Sequence, residues 1–250
     1  MSTLIDITEA AVREILRGAL LDLTPSGVAS ECILAQVNRV PEPALPNFCI
    51  MTPLRRERLA TNIDSVEDVI LQASIAGTVM TVTSVEDAFG NPQTSLRIGA
   101  ALVGPNIAAG TTVVTQTAGP PGGAGTYSVS VSQSVASQAM YTGLLHARVS
   151  TMVVTQLDIH GPASPEWAQG VSTLLRDEWA TSYFRQAMDG VMPLYTTDPR
   201  QMAFVNAESQ YEDRWTLDTH IQANPTVSVL QEFASTVSVG IINVDAAYPG

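Results

Sequence analysis

The sequence predicts an α+β domain: a mostly antiparallel sheet with helices packed on one face, plus an inserted small all-β domain. Residues 149–160 alternate between apolar and polar side chains, which is the pattern of a half-buried strand. After Gly161 the apolar spacing changes to three and four residues, as on one face of an amphipathic helix. Residues 73–142 differ in composition from both flanks, which indicates the insert.

The N-terminal segment is expected to form one helix and two strands. Asp6 and Glu9 have the spacing of a capping box, and an apolar face follows them, so the helix should span residues 7–21. Strands are expected at residues 31–40 and 48–52. The three prolines between them lack the N–H group that a central sheet ladder needs.

Residues 73–142 are predicted to form the inserted β-rich domain. Only Glu86, Asp87 and Arg97 are charged there, while Gly, Ser, Thr, Val and Ala predominate. Exposed loops tolerate insertions, because the entropy cost of closing a loop grows slowly with its length. The expected division is therefore a discontinuous host domain, residues 1–72 and 143–250, and an insert of residues 73–142. Short strands are expected in the insert at residues 78–85, 95–102, 111–116 and 127–131.

The strand that ends before Gly161 and the helix after it are predicted to pack as one unit. Ser164 is expected to cap this helix, Pro165 to take its first position and Glu166 to lie at its positive N-terminal end. Further on, alternation over residues 211–221 and again from residue 227 predicts two long antiparallel strands, joined by a turn at residues 223–225.

The composition argues against several classes of protein. The net charge is −12 and all twelve basic residues are arginines, whereas wrapping nucleic acid needs a basic surface. No apolar run reaches the roughly 18 residues of a membrane helix, and the first residues lack the features of a signal peptide. A folded protein made in the cytoplasm is expected.

No catalytic, cofactor or metal site is predicted from the cysteines and histidines. Cys32 and Cys49 lack metal-ligand spacing and are expected to be buried free thiols. The histidines at 146, 160 and 220 include no pair at helical ligand spacing. His160 and His220 fall on the polar sides of predicted strands, where a surface or interface position is expected.

One group of ionisable residues is compatible with an acid–base cluster. Asp158 and His160 share one face of a strand, and Glu212 and Asp213 lie on another strand. Solvated charges on a sheet face explain these residues more simply, so an enzyme is not expected.

The strand end Gln156-x-Asp158-x-x-Gly161 and the segment at 210–217 are the most telling of several shared segments. With residues 47–54 and 167–179, they resemble the neck or tail terminator proteins of tailed bacteriophages. The resemblance covers about 1–72 and 143–250. The insert resembles a different phage element, a β-rich module of tail-associated proteins, through residues 104–112, 122–127 and 132–137.

The resemblance implies a structural protein of the phage neck, made in the host cytoplasm and incorporated in the virion. Such proteins form rings, commonly of six subunits, that cap the finished tail tube and present a docking face to the head connector. The implied partners are further copies of the chain, the head–tail connector and tail tube or sheath proteins. DNA would pass through without tight binding, and no membrane or cofactor is implied. The alternative is a virion surface, decoration or host-binding module displayed through the β insert.

A ring of this kind favours particular charged residues at its subunit contacts and in its channel. Each subunit must bury strand edges against its neighbours, and the net charge of −12 favours arginines at these contacts. The channel must not bind phosphate tightly, which favours acidic residues of the C-terminal sheet. The expected contact residues are Arg55, Arg56, Arg58, Gln156 and Arg214, and the expected lumen acids are Asp213, Asp218 and Glu232.

Overall fold

A computed structural model describes residues 4–35, 43–202, 204–205 and 211–231, and the chain divides into two compact units. The helical unit comprises Leu4–Asp64 and Ala147–Val227, and the β unit comprises Ser65–His146 with the described residues from Ser228 onward. In chain order the elements are β1 (Leu4–Ile5), α1 (Glu9–Asp22), β2 (Ser30–Leu34), β3 (Asn47–Arg58), β4 (Ile63–Glu86), β5 (Val113–Ala118), β6 (Gly125–Arg148), β7 (Thr151–His160), α2 (Ser164–Leu174), α3 (Glu178–Ala187), β8 (Val191–Thr196), β9 (Arg200–Gln201), β10 (Phe204–Val205), β11 (Tyr211–Glu212), β12 (Arg214–Ala223) and β13 (Thr226–Leu230).

The helical unit is built on a six-stranded sheet in the order β2-β3-β7-β12-β8, with β9 also paired to β12. The β2–β3 pair is parallel, and the pairs that β7 and β12 form are antiparallel. The predicted α+β class with a mostly antiparallel sheet is confirmed.

The core of the helical unit lies between this sheet and the helices. Val153, Leu157 and Ile159 of β7 are buried together with the apolar residues of α1, α2 and α3. Trp167 is fully buried, and its indole Nε1 donates a hydrogen bond to the Leu20 carbonyl at 3.0 Å, which links α2 to α1. A buried indole needs such an acceptor, so this bond defines how the two helices meet.

Two helix starts differ from the sequence-based expectation. Thr8, not Asp6, caps α1, and its side chain accepts a hydrogen bond from the Ala11 amide, while Asp6 accepts one from the Thr226 amide at 2.7 Å. Ser164 lies inside α2 and is buried, and the preceding amide of Ala163 is bonded by the Asn47 side chain at 2.9 Å. Ser164 therefore does not cap α2, because a side chain from a distant strand satisfies that helix end.

The alternation of apolar and polar residues predicts a half-buried strand β7, but the strand is almost wholly buried. Every residue of β7 except Gln156 is buried, including Asp158 and His160. The reason is its position between β3 and β12, which pair with it along nearly its whole length, so that side chains of both neighbours cover its polar positions. The turn that follows does form at Gly161, where φ is +100° and an added Cβ would clash with the Pro46 carbonyl.

The second sheet has five strands in the order β1-β13-β6-β4, with β5 also paired to β6. Strand β13 belongs to this sheet and β12 to the other, so the predicted antiparallel pair of C-terminal strands is not formed by the residues that the structure describes, which end at residue 231. The predicted strand at residues 95–102 is also wrong: in that stretch the chain makes an isolated bridge between Ala101 and Thr112.

The β unit has its own core, which includes Leu71, Met80, Tyr127 and Met140. Strands β4 and β6 are 24 residues long, and both run through the expected insert boundaries at residues 73 and 142. The compositional change therefore falls within strands, while the two compact units divide near residues 65 and 146. A separately folding insert of residues 73–142 stays a prediction.

Candidate assembly surfaces

The face of the sheet opposite the helices, here called the outer face, carries a buried polar cluster. The register places Phe48 and Arg214 directly opposite His160 on either side, and directly opposed residues share a face. The guanidinium of Arg214 donates to Asp158 Oδ1 at 2.6 Å and 3.0 Å. His160 Nδ1 lies 3.2 Å from Glu212 Oε1. The fold thus brings together three of the four residues left open as an acid–base cluster, while Asp213 contributes its carbonyl to the Gly161 amide at 3.0 Å.

The environment of this cluster indicates packing rather than proton transfer. His160 is 4% exposed and its ring stacks on Phe48 at 4.6 Å, so the expected surface position is wrong. Burial lowers the pKa of His160, although the neighbouring Glu212 carboxylate acts in the opposite direction. A neutral imidazole stacked on a phenyl ring holds β7 against β3.

His220 is a second buried histidine on the outer face. It is 7% exposed, stacks on Tyr195 with ring centroids 4.1 Å apart, and was also expected at the surface. Burial lowers the pKa of His220. Its Nδ1 atom has no hydrogen-bond partner among the residues that the structure describes. The ring is therefore a packing group between β12 and β8.

Residues 53–58 of β3, here called the arginine edge, extend beyond the end of β2. The last β2 pairing is Leu34 with Met51, whereas β3 continues beside β7 to Arg58. Within the described ranges no strand pairs with the outer side of this segment. Arg55, Arg56 and Arg58 are exposed on it. An unpaired strand edge offers N–H and C=O groups to another chain, and charged side chains restrict which chain can pair there.

The ion pairs of the arginine edge are all at the surface. Arg55 lies 3.6 Å from Glu57, and Arg56 lies 3.4 Å from Glu9 of α1. Arg58 donates to the Asn62 side chain at 2.6 Å. Such exposed pairs contribute about 0–1 kcal/mol each to stability, so the arginines remain available to a partner carboxylate.

A bulge at Leu54 opens a pocket beside the arginine edge. The pairing with β7 slips between Pro53 and Arg55, so Leu54 is an extra residue and its side chain is 48% exposed. The pocket has a volume of about 180 Å³. The bulge was not predicted, because the expected strand ended at residue 52, directly before Pro53, although a proline is itself a signal for a bulge or an edge. The pocket, here called the Leu54 pocket, is lined by Glu9, Pro53, Leu54, Arg55, Arg56, Val153 and Val154.

The remaining described residues that were expected at contacts or in a channel lie on or next to the outer face. Gln156 and Asp218 are half-buried and directly opposite each other on β7 and β12. Asp213 is exposed between β11 and β12. Glu232 lies outside the described residues. Arg214 is 29% exposed and already bonded to Asp158, and its expected role in subunit contact stays a prediction.

In the β unit, the turn at residues 86–92 presents an aromatic side chain to solvent. Phe89 is 90% exposed. The Asp87 carboxylate accepts hydrogen bonds from the amides of Phe89 and Asn91 at 2.8 Å and 2.9 Å. The Asn91 side chain also donates to Asp87. These hydrogen bonds lower the pKa of the Asp87 carboxyl. The turn is therefore ordered while its most apolar side chain is left uncovered.

A family model for the phage neck terminator protein matches residues 97–246, which is more than half of the chain. The chain belongs to the phage neck terminator protein family. A comparison with curated proteins found no match.

The match gives this neck terminator protein a structural role in the phage neck, as a virion component associated with tail and head components. It covers β7 and β12, which carry most of the outer face, and so confirms the expected family. It also begins at residue 97, inside the predicted insert. The resemblance of residues 73–142 to a second phage β module stays a prediction.

Another histidine of the terminator protein joins three strands of the β unit. His146 Nδ1 lies 2.8 Å from Ser228 Oγ, and His146 Nε2 lies 3.0 Å from Glu67 Oε2. Strands β13, β6 and β4 are neighbours in the sheet, so the ring of His146 links a central strand to both of its neighbours. No cluster that could hold a metal ion occurs among the described residues, and no described helix is long and apolar enough to cross a membrane.

Proposed function

We propose that this terminator protein forms a closed ring of six subunits. The ring caps the finished tail tube and joins it to the head connector. The family match supports a position in the phage neck. The arginine edge is the structural observation that best supports assembly into a ring. Subunits of a ring meet through two different surface patches that repeat around the axis. An open strand edge bearing Arg55, Arg56 and Arg58, on a chain of net charge −12, is suited to be one of those patches.

The charges support this arrangement. Like charges on neighbouring subunits repel, and arginines that meet carboxylates of the next subunit offset this repulsion and determine the register. Gln156 and Arg214 of the outer face are proposed to lie at the same contact. The ring has no catalytic task in this proposal.

The channel of the ring is proposed to be acidic. Asp213 and Asp218 are at least partly accessible on the strand side of the helical unit, and Glu232 follows β13 in the sequence. Carboxylates in the lumen repel DNA phosphates, so the duplex passes without tight binding. Head connector, tail tube and sheath proteins are then the protein partners.

The mass of the purified chain in solution tests the ring. Light scattering and native mass spectrometry should give one closed multiple of the 26.5 kDa subunit, and electron micrographs should show ring-shaped particles. A monomer or trimer that persists at high concentration would contradict the ring and would instead support a surface-binding module displayed through the β unit.

A further inference from the structure

The turn at residues 86–92 is a rigid apolar projection. The Glu86–Pro92 bridge closes it, and the Gly90 amide donates to the Asp87 carbonyl at 3.0 Å. With the Asp87 carboxylate bonded to the Phe89 and Asn91 amides, the backbone that carries the phenyl ring is ordered before any partner arrives. A preordered backbone loses little conformational entropy when the turn is bound.

The turn is also where the negative charge of the β-rich segment is concentrated. Glu86 and Asp87 are the only carboxylates between residues 73 and 142, and both lie within three positions of Phe89. A partner that suits this turn must therefore offer an apolar pocket for the phenyl ring, with positive charge at the rim.

The Leu54 pocket has these properties. Its volume of about 180 Å³ is sufficient for a phenyl ring, since an apolar cavity of about 150 Å³ holds benzene. Val153 and Val154 form part of its lining, and the bulge leaves Leu54 exposed beside them. Two arginines, Arg55 and Arg56, also line it together with one carboxylate, Glu9, which lies 3.4 Å from Arg56, so the lining carries more positive than negative groups. A guanidinium is attracted both to carboxylates and to the face of an aromatic ring.

We propose that Phe89 of one subunit inserts into the Leu54 pocket of the neighbouring subunit, with Glu86 beside the arginines of the pocket. This contact rests on the proposed ring and names two of the surfaces that meet in it. The two patches differ and lie on different parts of the chain, as a head-to-tail contact that closes into a ring requires.

Crosslinking of co-expressed variants tests the contact directly. Phe89→Cys and Leu54→Cys are made in separate chains, and the native Cys32 and Cys49 are buried, so a short bis-maleimide should react with the introduced thiols alone. We expect linked dimers when the two variants assemble together and none when either assembles alone. Ile98→Cys, also exposed in the β unit, replaces Phe89→Cys as the control and should give no dimer with Leu54→Cys.

The energetic test compares two truncations of exposed apolar side chains. Phe89→Ala should weaken subunit association at least about tenfold, as expected for a phenyl ring that leaves an apolar site. Ile98→Ala should leave association unchanged, and Phe89→Tyr, which keeps the ring, should retain it. Thermal unfolding should be the same for all three, since both positions are exposed.

The outcomes separate this contact from the ring itself. If the native chain forms rings and the crosslink is absent, or if Phe89→Ala assembles normally, the proposed contact is overturned while the ring stands. If the native chain remains monomeric at every concentration, both are overturned.

Discussion

Single residues of the outer face are held uncharged by burial. His220 lies between Tyr195 and the charged groups of Asp218, Arg55 and Glu57, yet burial has the largest effect and lowers its pKa. Burial has the same effect on the pKa of His160. Protonating either ring in the folded protein would place a cation in a poorly solvated position, so acid acts against the fold at these residues.

The first prediction concerns pH. In the unfolded chain these histidines titrate at about 6.5, and in the folded chain they titrate at lower pH. The unfolded state therefore binds more protons between the two values, and the free energy of unfolding should fall as the pH falls from 7.5 to 5.5. Urea unfolding measures this loss, which should be smaller in His220→Gln. An equal loss in both proteins would show that His220 does not contribute.

The second prediction concerns the pair of Arg214 and Asp158. Arg214→Ala leaves an 8% exposed carboxylate without its guanidinium partner, and we expect a loss of about 1–3 kcal/mol in the free energy of unfolding. Glu14→Ala is the control, because it removes the exposed pair with Arg17 and leaves the bond of Arg17 to the Cys32 carbonyl in place, and it should cost under about 0.5 kcal/mol. Equal effects would contradict the structural role of the pair.

The same Arg214 variant also tests its expected role in subunit contact. Oligomer mass is measured at concentrations and temperatures where the variant remains folded. Loss of assembly under these conditions supports the contact, while normal assembly with early melting restricts Arg214 to its bond within the chain.

At the scale of elements, the arginine edge results from a mismatch in strand length. β3 spans Asn47–Arg58 while β2 spans Ser30–Leu34, so the longer strand has an uncovered half within the described ranges. The bulge at Leu54 lies in this half and turns an apolar side chain outward. One element thereby supplies both an edge and a pocket.

The third prediction concerns this edge. Arg55→Glu combined with Arg58→Glu should weaken subunit association at least about tenfold, because it replaces attraction by repulsion at the proposed contact. The melting temperature should change little, since the ion pair of Arg55 with Glu57 and the hydrogen bond of Arg58 to Asn62 are both exposed. Arg97→Glu, an exposed reversal in the β unit, is the control and should assemble normally. Normal assembly of the double variant would remove the arginine edge from the subunit contact.

At the scale of the whole molecule, the two units have separate apolar cores. The core of the helical unit draws on no residue between 73 and 142, whereas most of the core of the β unit comes from that segment. All three tryptophans lie in the helical unit, so tryptophan fluorescence reports on that unit alone.

The fourth prediction follows from these separate cores. Replacing residues 73–142 by a short Gly-Ser linker should leave the helical unit folded, with a cooperative fluorescence transition, because loop closure costs grow slowly with length. Its stability should change little, since the core of the helical unit includes no residue of the replaced segment. Loss of the transition would show that the two units fold only together.

The fifth prediction concerns DNA. With a net charge of −12 and no lysine, the purified chain should show no measurable binding to duplex DNA at physiological salt. Fluorescence anisotropy of a labelled duplex measures this. Tight binding that falls steeply with added salt would indicate a basic face and a role in contacting DNA.

Several properties follow from the sequence alone because they depend on neighbours within a few residues. Helical spacing after residue 8 and after Gly161 predicts α1 and α2, and the turn at Gly161 needs a conformation that glycine adopts readily. Composition argues against a basic nucleic-acid surface, and shared segments indicate the neck terminator family, which the match over residues 97–246 confirms.

Other properties depend on contacts between residues far apart in the chain, and only the tertiary structure decides them. The alternation in β7 is the same whether its polar side faces water or neighbouring side chains, so the burial of Asp158 and His160 depends on β3 and β12. Asn47 satisfies the start of α2 from 116 positions away. The separation of β12 and β13 into different sheets also depends on distant contacts. A strand edge is able to pair with any of several alternative strands, and the packing of the whole chain selects one of them.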